Sequence, residues 1–143
     1  MRSLFRIVRN AAALDRDERR AAVRGLVWLL AARAALRIAS YRVVSRAAAR
    51  VPQRARARLS AEECGRAIRR AGRLTRSATC LARAIAAECL LRREGWQPTL
   101  SLGVTRDAAG ALRAHAWVIS NGVTVAGGEE AAQYLPLTPS REP

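Results

Sequence analysis

The chain has 143 residues, half of them apolar, which fits one domain with a buried core and excludes wholesale disorder. A formal net charge of +15 points first to nucleic acid, an anionic membrane or an acidic peptide, but all 26 basic residues are arginine and alanine is abundant. That bias is expected of a GC-rich bacterial genome, so charge alone selects no partner.

In chain order, Met1 to Leu14 reads as a frayed start or an early helical turn. From Asp15 the acids of Asp15-Arg16-Asp17-Glu18 suit a helix N-terminus, and Val23, Leu26, Val27, Leu30 and Ala34 recur at helical spacing as its expected buried face. The least polar part, Gly25 to Ala32, is too short to span a bilayer. A core helix is the expectation, although Trp28 between arginines also suits a membrane surface. Past Leu36 the helix either runs on or breaks near Ser40-Tyr41, Val43 and Val44 add apolar surface, and Pro52 ends it. Gln53 to Leu59, with Arg54, Arg56 and Arg58 alternating with small or apolar residues, reads as a solvated connector, or else as a contact surface for a peptide or another subunit. Residues 15–59 thus form an N-terminal helical part.

Ser60-Ala61-Glu62-Glu63 is a capping box, followed by Cys64, Ala67, Ile68 and Ala71 on one face until Gly72 closes the helix. Leu74 to Thr79 is a loop into the next helix, Leu81 to Arg93, in which Leu81, Ile85 and Cys89 make a buried stripe. Cys80 falls in its first turn. Beyond Gly95 the period changes from 3.6 to 2. Leu100, Leu102 and Val104 form one strand, Arg106 to Gly110 a turn, and Ala114 to Ile119 a second strand; Asn121-Gly122 then leads into a third through Val123 and Val125. The expectation is a meandering antiparallel sheet with the Cys80 helix on one face. Gly127-Gly128 ends the third strand, and Tyr134 to Leu137 returns to the core before a proline-containing tail.

Three cysteines without a C-x-x-C pair or a signal-peptide pattern suggest a reducing, cytoplasmic setting. Cys80 and Cys89 lie on opposite faces of one helix, roughly 13 Å apart along its axis, so they neither pair nor share a metal. With no closely spaced ligand pair, no metal site is expected. Cys64 and Cys89 sit within apolar patterns and read as core. Cys80 differs: free N–H groups and the positive end of the helix dipole favour a thiolate there. About 35 residues later comes His115, the only histidine, in the strand Ala114-His115-Ala116-Trp117-Val118. Trp117 shares the face of His115 and either walls a site or packs in the core. A buried inert cysteine and a satisfied strand histidine are the bland alternatives to Cys–His chemistry.

Cys80-Leu81-Ala82-Arg83-Ala84, Gly95, His115-Ala116-Trp117-Val118 and Tyr134-Leu135-Pro136-Leu137 together resemble the transglutaminase-like leader peptidase of lasso-peptide biosynthesis, the peptidase half of the B protein. The resemblance covers roughly Asp15 to the end. It implies an α+β fold, with N-terminal helices followed by a transglutaminase/papain-like core over residues 60–137. It also implies a cysteine peptidase that removes the leader from a ribosomally made precursor before macrolactam formation by a separate ATP-dependent cyclase. Cys80 would attack the carbonyl and His115 would act as general acid and base, without a cofactor. The precursor, a separate leader-recognition protein and the cyclase are the implied partners, with no nucleic acid; no leader-binding domain is discernible.

Family members usually carry an acid on the strand after the histidine. Counting outward from Ser120 opposite Val123 sets His115 opposite Gly128, so glycine fills that slot. Glu130 would lie diagonal to His115, Glu129 is nearby, and a backbone carbonyl or an N-terminal residue could orient the ring instead. The same residues could serve acyl transfer from glutamine to an amine. From another class, the chain could be an arginine-rich, non-enzymatic helical adaptor for RNA or an acidic protein. That reading leaves Cys80 and His115 to chance and lacks the interleaved aromatics of a single-strand binder.

Overall fold

The computed structural model describes residues 15–75 and 78–137; the start before Asp15, Ser77 and the proline-containing tail lie outside them. Among the described residues, helices α1 (Arg16–Ile38), α2 (Tyr41–Ala49), α3 (Ala61–Leu74) and α4 (Cys80–Arg93) precede strands β1 (Pro98–Arg106), β2 (Leu112–Ser120), β3 (Val123–Ala126) and β4 (Leu135–Pro136). The strands form one antiparallel sheet in the order β3-β2-β1-β4. This is the expected α+β class, with one strand more than the expected meander.

The Asp15 carboxylate caps α1 by accepting from the Arg16 amide, and Asp17 and Glu18 occupy its first turn. Its buried face is Ala21, Gly25, Leu29 and Ala32; of the expected set Leu26 packs partly buried against the core, whereas Val23, Val27, Leu30 and Ala34 are exposed, Val23 and Val27 at 56% and 59%. The reason is close approach. A Cβ on Gly25 would meet the carbonyl carbon of Ala67 in α3 at 2.8 Å, so small residues had to form the contact, and a pattern weighted by side-chain size selects the wrong face. The chain breaks at Ala39 and Ser40, both extended, as one of the two sequence readings has it, and Pro52 lies beyond the end of α2.

The capping box of α3 is complete: the Ser60 hydroxyl accepts from the Glu63 amide, and the Glu63 carboxylate accepts from the Ser60 amide. These bonds hold the Glu63 carboxyl below its ordinary value. Gly72 does not close α3, which continues to Leu74; it lies buried within the helix.

The connector from Gln53 to Leu59 is neither loose nor fully solvated. Glu94, at the C-terminal cap of α4 and 0% exposed, accepts from the amides of Arg58 at 2.7 Å and Leu59 at 3.2 Å. Arg24 of α1 donates to its other oxygen at 3.4 Å, and Arg54 stands 3.9 Å from it, an ion-pair distance. Leu59 is held from the other side as well, because its carbonyl accepts from the Trp96 indole at 3.0 Å. One buried carboxylate therefore ties the connector to α1 and α4, with the opposite charges and hydrogen bonds that a buried anion needs.

Helix α4 packs against α1, α3 and the sheet, and Leu29, Ile68, Ile85, Leu90, Leu91 and Val118 are fully buried around it. In the β1–β2 pair, Leu100 faces Val118 and Leu102 faces Ala116 on the core side; Ser101 faces Trp117 and Gly103 faces His115 on the other. The β2–β3 register departs from simple counting. Ser120 pairs with Val123 and Ile119 with Thr124, but Val118 pairs with Ala126, so Val125 is an extra residue in a bulge. Pairing ends there, and His115 is not opposite Gly128. The segment at Tyr134 also differs from expectation: it reaches the far edge of β1 as β4, with Leu135 and Leu137 exposed, rather than the core.

Candidate active site

Cys80 is the first residue of α4, one position earlier than the sequence pattern set the helix, and it is half-buried. Thr79 caps the helix: its hydroxyl accepts from the Ala82 amide at 3.2 Å and its carbonyl from the Arg83 amide at 3.1 Å. The amides of Cys80 and Leu81 have no partner among the described residues. They are donors beside the sulfur, where charge develops during attack on a carbonyl.

The other thiols stand apart. Cys64 is 0% exposed and Cys89 6% exposed, and burial pushes each up to about 12, with Glu94 and Glu88 respectively adding to the effect. At neutral pH both remain protonated and shielded, as small apolar residues of the core.

On β2, the Nε2 atom of His115 lies 2.8 Å from the Gly127 carbonyl oxygen. A carbonyl only accepts, so this bond places a proton on Nε2, and in the neutral ring the lone pair is then on Nδ1. The imidazole is thus preset as a base at one nitrogen. Gly127, with φ of +75°, turns the chain off the sheet immediately after β3; a Cβ there would meet the Ala116 carbonyl at 2.6 Å. The ring is also held face-on, with the Trp117 ring 6.1 Å away at 20° and the Tyr134 ring 5.0 Å away at 29°. Gly103 makes this stack possible, since a Cβ there would meet Trp117 Cη2 at 2.8 Å and Tyr134 Cβ at 2.9 Å.

Cys80 and His115 line one open cleft of about 1020 Å³ between α3, the start of α4 and the β2–β3 side of the sheet. Tyr134 lines it too, whereas Trp117, 6% exposed, lies outside the lining and acts on His115 through stacking. Glu129 and Glu130 are exposed on the cleft wall. Neither is the partner of Nε2; the Gly127 carbonyl occupies that place. The bulge at Val125 ends pairing at Ala126, so no regular ladder carries Glu130 to a diagonal position.

Sequence reasoning did not single out Tyr134 or Gly103 for the site. An aromatic just before the final strand and a glycine inside an alternating strand are the available signals, and the second marks a close approach. Among the described residues, no group of three or more His, Cys, Asp or Glu side chains is placed to hold a metal ion, and no helix is long and apolar enough to cross a membrane.

A thiol beside free helix amides and an imidazole on the same cleft are the groups that acyl transfer through a thioester uses once they come within hydrogen-bond reach of each other. No curated protein and no solved structure matches the chain. A family model, described as the transglutaminase-like superfamily, matches residues 25–139, a span that runs from within α1 past β4 and includes both Cys80 and His115. Cysteine peptidases and transglutaminases both occur in that superfamily. The fold, the order of thiol and imidazole along it and the family match agree: the chain belongs to the transglutaminase-like superfamily.

Proposed function

We propose that the protein is a cysteine peptidase that removes the leader from a ribosomally synthesised lasso precursor peptide. The observation that carries this reading is the cleft shared by Cys80, at the start of a helix, and His115, whose Nε2 is already occupied by the Gly127 carbonyl. The motif resemblance around Cys80, His115 and Tyr134 supplies the narrower substrate.

In this mechanism His115 Nδ1 takes the thiol proton, and Cys80 Sγ attacks the carbonyl at the end of the leader. The Cys80 and Leu81 amides meet the oxyanion. Collapse of the tetrahedral intermediate breaks the C–N bond, and the imidazolium gives its proton to the departing amine, the new N-terminus of the core peptide. Water, deprotonated by the same Nδ1, attacks the thioester, releases the leader as a carboxylic acid and restores the thiol. A separate recognition protein delivers the leader by raising its effective concentration, and a separate cyclase uses the freed amine.

The test is alkylation with iodoacetamide near neutral pH, sites mapped by mass spectrometry, beside cleavage of a synthetic precursor with its recognition protein. Selective modification of Cys80 with parallel loss of cleavage is expected. Cleavage that survives full alkylation of Cys80 overturns the mechanism.

A further inference from the structure

The cleft holding Cys80 and His115 is also lined by four arginines, Arg69, Arg73, Arg83 and Arg113. Two are built into the wall. Arg69 Nη1 donates to the Val125 carbonyl at 3.0 Å, and Arg83 Nη2 donates to the Gly72 carbonyl at 3.4 Å. Glycines on α3 make their seats. A Cβ on Gly65 would meet the Val125 carbonyl at 2.5 Å and Arg69 Nη1 at 3.1 Å, and one on Gly72 would meet Arg83 Nε at 2.9 Å. Each anchored guanidinium has five N–H donors and spends one on these bonds, so the rest stay available with little further ordering cost. All four arginines are exposed, and Arg73 and Arg113 have no carboxylate partner among the described residues.

We infer that this cleft selects peptides with an acidic side chain close to the bond that is cut, the carboxylate being held by Arg73 and Arg113, with Arg69 and Arg83 lining the same cleft. The inference rests on the peptidase reading of the cleft and adds its substrate class. Several like charges in one concavity focus the field on an incoming anion, and guanidinium binds carboxylate through paired, charge-assisted hydrogen bonds. Two observations favour a peptide over a nucleic acid. Glu129 and Glu130 line the same cleft and repel a continuous polyanion while tolerating one carboxylate near the arginines. From Leu112 to Ala114 the outer edge of β2 has no strand beside it among the described residues, because β3 pairs only with Val118 to Ser120, and an extended peptide backbone can bond to such an edge.

The experiment selects binders from a random dodecapeptide display library on immobilised Cys80→Ala protein, then measures the best peptide and its Asn/Gln counterpart by calorimetry. Enrichment of Asp or Glu is expected, with affinity about tenfold or more weaker for the amide counterpart, as loss of charged hydrogen bonds predicts. The double variant Arg73→Gln/Arg113→Gln should show a similar loss. Arg37→Gln/Arg42→Gln, which removes the same charge outside the cleft, should bind as before; unchanged thermal midpoints establish that both pairs fold.

Equal weakening by both double variants would reduce the effect to net charge and overturn the inference. So would peptides without acidic enrichment, or displacement by oligouridylate as effective as by the acidic peptide. Binding is read in protein lacking the thiol, so these outcomes are separate from the alkylation test: an unreactive Cys80 sinks the peptidase reading alone, and absent acid selection sinks the substrate class alone.

Discussion

At its N-terminal end α4 opens into a cleft, with Cys80 half-buried and the Cys80 and Leu81 amides without partners among the described residues; at its C-terminal end Glu94 is wholly enclosed by groups from α1 and the connector. The first end is organised by a neighbour, Thr79, and the second by partners 36 and 70 residues away in sequence. Reactivity here needs groups left unsatisfied, and stability needs them satisfied. One helix separates the two demands along its length.

The largest effect that would sharpen this contrast is on catalysis. Cys80→Ala or His115→Ala should lower precursor cleavage by about four orders of magnitude or more, the scale seen when a nucleophile or its base is lost. Cys64→Ala and Cys89→Ala should retain turnover and lose only packing stability. Full activity in Cys80→Ala, followed by product mass, would remove the functional distinction between the ends.

At the sealed end, Glu94→Ala should cost about 3–5 kcal/mol in urea unfolding, because it leaves two partly buried guanidinium groups and two amides without their anion. A midpoint indistinguishable from the parent protein would show that the enclosure is incidental. Glu88, one turn before the C-terminus, gives a smaller, pH-dependent effect. Burial raises its carboxyl above the ordinary 4.5, against the lowering influence of Arg92, which donates to Oε1 at 3.2 Å. The folded protein therefore keeps this proton to higher pH than the unfolded chain does. Its contribution is most favourable below 4.5 and declines as pH rises through the raised value. Glu88→Gln should remove that decline from a pH series of unfolding free energies; an unchanged slope would assign it to another group.

The smallest expected effect lies back at the open end. Since Nε2 of His115 is already bonded to the Gly127 carbonyl, Glu130→Gln and Glu129→Gln should each leave turnover close to that of the parent. A drop of orders of magnitude in one of them would mean that a carboxylate replaces the carbonyl during the reaction.

The two ends also differ in how far sequence reveals them. Cys80 was legible because a helix start is a local property, set by Thr79 and the unbroken formers that follow, and the strand of His115 was legible from its alternation. Glu94 was not, since no local pattern reports partners so distant. The available hint was an acid at a helix C-terminus, where the dipole disfavours it and Arg92 and Arg93 carry the favoured sign. The buried face of α1 escaped for another reason: Gly25 and Ala21 win by being small, and hydrophobicity scales rank them below Val23 and Val27. The acceptor of His115 Nε2 was hidden because it is a backbone atom, and no residue type encodes a carbonyl.

The extra residue at Val125 gives that last point a practical form. Whether a carbonyl faces the imidazole depends on how many residues separate the Asn121-Gly122 turn from Gly127, and much less on which side chains they carry. Deleting Val125 would straighten β3 and slide the next peptide group into position, altering the ring's acceptor while preserving the chemistry of every remaining side chain. The geometry at His115 is in this sense written as spacing, so point substitutions across β3 should be better tolerated than any change in its length.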